Sequence, residues 1–469
     1  MASAAGSPRG RARLLLLGAL LTSTSAWAEP TSTTALGLRE LGRMALENNK
    51  KIKIDVARIQ QAEALLGFAK AQAYPVVGAR LLFGGPVSEA KTAIRNDVTS
   101  VTAASLENDT DFGALGVTLR LQGTGYVPVF TFGKLSKASD AAHSLVHASQ
   151  AAVGITEGEV VVNVHRAFWG YQLADRFVRS LTEGEEILSK VIDKVNELLE
   201  ADSGQVTEND RLRLLHAQAT LRVRMAEAKD GRELALTALK LLVGRDMALP
   251  IDVAPADIEA LPEAPPSLPR ALDDALHHRP ELRALARVVD AHQSFLGFRQ
   301  RALLPDIFVA GFLEMAVTSN ATDQTNPFIY DRFNYFDAGI AVGMQFQLDV
   351  FHKLAEIDQA SADLAVRLAE SAAATEAIEL EVRKLHRDVT GGFEKLDPAE
   401  KAFRAARAWL TAAVLAYDLG TGDAGELIDA FLARATSEGD LRRTQYELHL
   451  GRADLARASG TLLTELRAP

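Results

Sequence analysis

The 469-residue chain has no cysteine. That absence removes thiolate nucleophiles, thiolate metal sites and iron–sulfur clusters, and it leaves no sulfur for a lipid anchor. Beyond the first 28 residues no apolar run reaches 18 residues, so no later segment reads as a membrane-spanning helix. The signatures of common active sites are missing as well: there is no H-E-x-x-H, P-loop, nucleophile elbow or protein-kinase pattern. Gly123-x-Gly125 closes a strand-like run without the G-K-[ST] or further glycine that phosphate cradling needs. His143 and His147 stand four apart on a helical pattern, a spacing that can bind metal, but no third ligand accompanies them. No catalytic residue, cofactor or metal site is assigned, and the chain reads as a non-enzyme. Its net charge of −10 offers no basic face for nucleic acid. With 48% hydrophobic and 24% charged residues it is not a disordered polymer either.

What is present starts with a targeting segment. Arg9, Arg11 and Arg13 form a basic region, Leu14–Leu21 a short apolar one, and Ala26-Trp27-Ala28 an A-x-A cleavage site. Residues 1–28 therefore read as a secretory signal. Cleavage removes three arginines and no acid, which takes the net charge from −10 to −13. An exported chain without a spanning helix can still enter a membrane as a β-barrel, whose strands alternate and never form long apolar runs.

The rest of the chain is written twice. Ala45-Leu46, Leu66-Gly67-Phe68 and Pro75 recur 230 residues later as Ala275-Leu276, Leu296-Gly297-Phe298 and Pro305. Phe132-Gly133-Lys134 matches Phe351-His352-Lys353, Gly204 matches Gly422, and Gly244 matches Gly460, in the same order. Two repeats follow, 29–249 and 269–469, joined by a Pro-rich linker at 250–268 that reads as a belt at mid-height. Each repeat has one pattern: medium helix, proline, two strands, long helix, turn, medium helix.

The long helices rest on periodicity. Ile187, Leu188, Val191, Ile192, Val195, Leu198 and Leu199 fall on one stripe, with Lys190, Asp193, Lys194, Asn196 and Glu197 between them. Stretches 133–200 and 353–419 hold no proline except Pro398, which predicts rods of roughly 100 Å at ~1.5 Å per residue. Segments 207–243 and 269–303 have lengths that would match one such rod if stacked end to end. Strands are expected at about 76–85, 113–123, 306–316 and 338–349. Leu115, Val117, Leu119 and Leu121 alternate with Gly116, Thr118, Arg120 and Gln122; Ile340, Val342, Met344, Phe346 and Leu348 alternate with small or polar residues. One face apolar and one polar is the pattern of a barrel with lipid outside and water inside, and Arg80 fits the water side. The strands of each pair are joined by loops, a polar one at 86–111 and an aromatic one at 317–337 carrying Phe328, Tyr330, Phe333, Tyr335 and Phe336.

These residues resemble the outer-membrane efflux protein family, the TolC type. The resemblance rests on the duplicated Ala45-Leu46-x-x-Asn49 and Ala275-Leu276-x-x-Arg279, on Arg279-Pro280-Glu281-Leu282, Leu304-Pro305-Asp306 and Phe168-Trp169, and on the Gly422, Leu427, Ala430 series. It implies an α plus transmembrane β fold: a homotrimer whose 12-stranded β-barrel continues into a long periplasmic α-helical barrel. It implies a passive channel of an efflux or type I secretion system in the outer membrane of a Gram-negative bacterium, in contact with outer-membrane lipid. Its partners would be a periplasmic adaptor and an inner-membrane transporter. By the same resemblance Glu426 and Asp429 fall on or near an acidic ring that closes the periplasmic entrance. Tyr417 and Asp210 match a lock between coils, and Ser203, Gly204, Gly420 and Gly422 lie in the tip turns. The family also uses an arginine near the turn, where this chain has Gly422. The competing reading is a soluble periplasmic coiled-coil adaptor or scaffold, which the two hairpin units and alternating strands disfavour. Intact-mass analysis of the exported protein is expected to find a chain beginning at Glu29; an uncleaved Met1 would discard the signal assignment.

Overall fold

The computed structural model describes residues 35–95, 105–201, 206–259, 262–319, 331, 333–419 and 421–467. The duplication is visible in the elements. The first repeat runs α1 (Leu38–Asn48), α2 (Lys50–Ala71), β1 (Val76–Arg95), β2 (Ser105–Phe130), α3 (Lys134–Glu200) and α4 (Glu208–Leu242). The second runs α5 (Leu268–His278), α6 (Pro280–Arg301), β3 (Asp306–Thr318), β4 (Tyr335–Gln345), α7 (Val350–Asp418) and α8 (Ala424–Ala458), and α9 (Leu462–Arg467) follows. The paired helices have 11 and 11, 22 and 22, and 35 and 35 residues, and the long ones 67 and 69. At ~1.5 Å per residue, α3 and α7 are rods of about 100 Å. Helix α7 runs through Pro398 without a break.

A rod this long has no single core. Its apolar stripe is covered in sections. Phe168, Trp169, Val160 and Val164 pack with Leu41, Leu239, Ile251 and Val253 at the middle of α3. Val382 and Val389 pack with Leu448 and Leu455 between α7 and α8. Leu188, Ile192 and Val195 pack with Leu214 and Ile428 lower down, three of the stripe residues read from the sequence. Leu462 and Leu466 of α9 dock on Val161 and Val162.

The end-to-end stacking differs from the expected one. The segment 269–303 is two helices broken at Arg279, and its partner is not 207–243. Helix α4 instead ends on the α1–α2 break of its own repeat, and α8 on the α5–α6 break of its own. Asn49 and Arg279 are extended at these breaks, with ψ of 131° and 124°. Before Pro280 that conformation is imposed by the proline ring. At the first joint Asn49 donates to Leu242 O at 3.0 Å while its carbonyl oxygen accepts from Lys51 N at 2.9 Å. At the second, Arg279 reaches Ala458 O at 3.5 Å. Gly244 (φ 69°) and Gly460 (φ 75°) end the helices. The amides that follow, Arg245 N and Thr461 N, close back on Lys240 O and Ala456 O at 2.9 Å, a Schellman closure. A Cβ at either glycine would sit 2.9 Å from Asn48 or 2.7 Å from His278 backbone atoms.

The second joint is ionic. Arg279, 5% exposed, binds Glu381 at 2.5 Å and Glu281 at 3.2 Å; Arg457 binds the other oxygen of Glu381 at 2.6 Å. These two arginines hold the Glu381 carboxyl below its usual range against the opposing effect of burial.

The segment between the repeats lies against the helices. Gln172 donates to Ala254 O (2.9 Å) and accepts from Ala256 N (3.2 Å); His449 bonds Ile258 O (3.2 Å) and His386 bonds Pro266 O (3.0 Å). Arg442 binds Glu259 at 2.7 Å, and Leu36 forms a parallel bridge with Val253. His449 stacks on Trp169 with ring centroids 3.7 Å apart. Burial, aided by the charge of His449, depresses the pKa of His165 to about 4. Burial also lowers His449, opposed by Ile258 O and Asp257.

Among the described residues four strands form one antiparallel sheet in chain order β1-β2-β3-β4. Phe132 (φ 51°) and Gly133 (φ 79°) turn β2 into α3, and Lys134 at the start of α3 pairs with Asp306 at the start of β3. The described part of the polar stretch 86–111 is strand rather than loop: the β1–β2 ladder continues past shifts after Gly84 and Ser88 as far as Arg95↔Ser105. A ladder pairs backbone groups whatever the side chains, so a polar composition did not end it. Strand β2 also runs on to Phe130, and β4 covers 335–345 rather than 338–349. Of the second loop, Phe328 and Tyr330 lie outside the described residues, and Tyr335 and Phe336 open β4.

The register separates two faces. Val77, Ala79, Leu81 and Phe83 pair across to Gly125, Gly123, Leu121 and Leu119, these to Gly311, Leu313, Met315 and Val317, and β3 to Phe336, Ala338, Ile340, Val342 and Met344. That face is entirely apolar, glycine or alanine. The opposite face takes Arg80, Arg120, Gln122, Asp306, Glu314 and Asp337.

Two outcomes are expected. Gly244→Ala and Gly460→Ala, both strained and crowded, each lower stability by about 1–3 kcal/mol, read as a fall in Tm, whereas Gly231→Ala, in open space inside α4, raises it slightly. His165 stays neutral in the fold down to about pH 4 but titrates near 6.5 when unfolded. The unfolded chain therefore binds the extra proton, so stability is full above pH 6.5 and lost as pH falls toward 4. A Tm series from pH 7.5 to 4.5 should show that slope, and His165→Gln should flatten it.

Candidate functional site

The ends of the two long hairpins come together at the tip. Thr207 N-caps α4 and forms a capping box with Asp210. Asp210 accepts from Thr207 N at 2.9 Å and from its hydroxyl at 2.7 Å, bonds that pull its carboxyl below the ordinary range. On the other hairpin α7 ends as Thr421 N and Gly422 N both donate to Ala416 O at 2.9 Å. A Cβ at Gly422 would lie 2.7 Å from Tyr417 N and 2.9 Å from Ala416 C. The turn is too tight there for the arginine of the resembled family. The adjacent helix α4 brings one instead: Arg213 Nη1 lies 3.3 Å from where a Cβ at Gly425 would be, a position that Asp423 Oδ2 approaches to 2.8 Å.

Tyr417 lies within reach of the Asp210 charge but is not bonded to it. The Tyr417 hydroxyl is buried and has no hydrogen-bond partner among the described residues. Burial, and then the charges of Asp210 and Asp418, push its pKa above the ordinary value. Asp210 places its Oδ2 on the cap, so the third helical residue of the capping box and the carboxylate whose charge reaches Tyr417 are one side chain. Glu426 and Asp429 are both exposed on the first turns of α8. Glu426 accepts from the Trp409 indole N–H at 3.4 Å. Gly422 is described; Ser203, Gly204 and Gly420 lie outside the described residues.

Sequence reasoning missed Trp409 and Arg213. Each belongs to a helix other than that of its partner, so only the packing of α4, α7 and α8 brings them in. Trp409 is a large aromatic side chain left 41% exposed on α7. Among the described residues no group of three or more His, Asp or Glu side chains is placed to hold a metal ion, and no helix is long and apolar enough to cross a membrane.

No model of a known protein family matches the sequence. The cobalt-zinc-cadmium resistance protein CzcC of Cupriavidus metallidurans is 24% identical over 184 residues, which are 39% of this chain and 43% of that protein. The match thus spans less than half of the relative's length. Among solved structures, the outer-membrane channel OprN superposes with a TM-score of 0.73 at 20% identity, covering 90% of this chain and 89% of its own. CusC, solved in a study of folding and transmembrane channel formation, gives 0.73 at 17% identity, covering 90% and 92%. The Campylobacter jejuni outer-membrane channel CmeC gives 0.70 at 16%, covering 91% and 86%. These superpositions cover nine-tenths of this chain and most of each solved structure, and the chain therefore has the fold of the TolC-type outer-membrane channels.

Proposed function

We propose that the protein is a passive outer-membrane channel of a tripartite efflux or type I secretion system. The sheet is the observation that carries it. One face is apolar and exposed, with Val77 77%, Ile340 85% and Val342 74% accessible, and the other holds the charges. An exposed apolar face of this extent calls for lipid. Strands β1 and β4 are edges with no partner strand among the described residues, and open edges inside a bilayer are not tolerated. Three copies joined edge to edge close a 12-stranded barrel, and their α3, α4, α7 and α8 rods continue it as a periplasmic tunnel. The fold shared with OprN, CusC and CmeC supports this assembly.

In the trimer the tip turns at 201–206 and 419–425 face the periplasm and meet the adaptor, while an inner-membrane transporter supplies the energy. Glu426 and Asp429, i and i+3 on one helix face, come around one axis in three copies. Carboxylates so grouped attract cations. Tyr417 and Asp210 hold neighbouring coils at the same level, with Arg213 completing the tip where the turn has no arginine.

Purified protein in a planar bilayer is expected to show small, cation-selective steps blocked by multivalent cations, with the block lost in Glu426→Ala/Asp429→Ala. Unchanged block in the double variant discards the gate and keeps the channel. A soluble protein that never inserts discards the channel.

A further inference from the structure

The charged face of the sheet is not uniformly polar. Phe308 and Phe312 of β3 and Tyr126 of β2 also lie on it, and Phe312 and Tyr126 are 47% and 36% exposed. Their partners on β4 are glycines: Phe312 stands opposite Gly339 and Phe308 opposite Gly343. A Cβ at Gly339 would meet the Phe312 ring at 2.6 Å, and one at Gly343 the Phe308 ring at 2.5 Å. Each ring therefore lies across the backbone of β4, and glycine is what lets it do so. Tyr126 continues the surface, its ring centroid 5.0 Å from that of Phe308. Glycine inside a strand weakens it and marks a place where something must come close.

The next row adds charge. Glu314 stands directly opposite Asp337, and like charges so placed destabilise a sheet. Gln122 reaches Glu314 only at 3.5 Å, and the Asp337 carboxylate has no hydrogen-bond or ion-pair partner among the described residues. Neither β3 nor β4 contains a lysine, arginine or histidine; Arg80 and Arg120 are on β1 and β2. Half of this face thus offers open aromatic rings beside two carboxylates that repel each other, an arrangement that a cation relieves.

We propose that Phe308, Phe312 and Tyr126, with Glu314 and Asp337, form a binding site for aromatic organic cations on the wall of the channel. The rings stack on the planar part of the ligand and attract its charge through their faces, and the two carboxylates neutralise it. That this face lines the channel rests on the function proposed above; the site itself rests on the sheet.

The test uses the full-length protein in detergent, titrated with ethidium by calorimetry, and the same protein in a planar bilayer with ethidium added to the barrel side. Ethidium is expected to bind and to interrupt the current. Its affinity should fall roughly tenfold in Glu314→Gln/Asp337→Asn and by a similar factor in Phe312→Leu, which keeps Gly339 covered but removes the ring. Tetramethylammonium, which has the charge without a ring, and 2-naphthalenesulfonate, which has the ring with the opposite charge, should each bind at least tenfold more weakly. Equal ethidium affinity in the wild type and both variants overturns the site, and the channel stands if current still flows. Variant-sensitive binding by a protein that conducts nothing upholds the site and overturns the channel reading.

Discussion

A helix that ends against another helix buries the last carbonyls of its backbone in the joint, and unpaired buried carbonyls are costly. Each long rod here is flanked by shorter helices that meet at such joints, so the length match between α3, α7 and their neighbours depends on closing them. Gly244 and Gly460 turn the chain out of the way in a conformation that other residues resist, and Asn49 and Arg279 reach back to the exposed carbonyls. The two joints use different chemistry for one task. A neutral amide suffices at the first. The second holds a buried guanidinium, which must be compensated, and Glu281 and Glu381 provide the charge while Arg457 shares it.

The sheet has the complementary problem. Its helices are satisfied by one another, but four strands with an apolar face and two open edges are not a stable object in water. The open edges and the apolar face are two sides of one deficiency, which the proposed assembly and membrane insertion would meet together. The turn at Phe132 and Gly133 and the Lys134–Asp306 pair fix how the sheet sits on the rods. The geometry of the tip and that of the strands are thereby coupled through continuous helices rather than through a flexible linker.

Local chemistry explains which parts were legible in the sequence. The stripe from Ile187 to Leu199 and the alternation from Ile340 to Met344 are periodic signals that depend only on helix and strand geometry, and Leu188, Ile192 and Val195 are buried as the stripe requires. The paired glycines Gly244 and Gly460 were visible as repeat landmarks before their positive φ was known. The ladder at 86–95 and 105–111 was misread because backbone pairing leaves no mark on side-chain polarity. The stacking of α4 was misassigned because helix lengths alone cannot say which ends meet, and the bond from Asn49 to Leu242 spans 193 positions in the chain.

The sequence by itself determined the duplicated order of elements, the length of the rods and the two-faced strands, because each follows from spacing along one chain. The acidic residues of α8 and the tyrosine at the end of α7 were placed by resemblance. Only the tertiary structure decided their neighbours: that Tyr417 lies within reach of the Asp210 charge, that Trp409 holds Glu426, that Arg213 comes close to Gly425, and that Phe308 and Phe312 lie over glycines beside two opposed carboxylates. Those contacts join residues from different helices or strands, and their distances are set by packing and register rather than by any local preference of the chain.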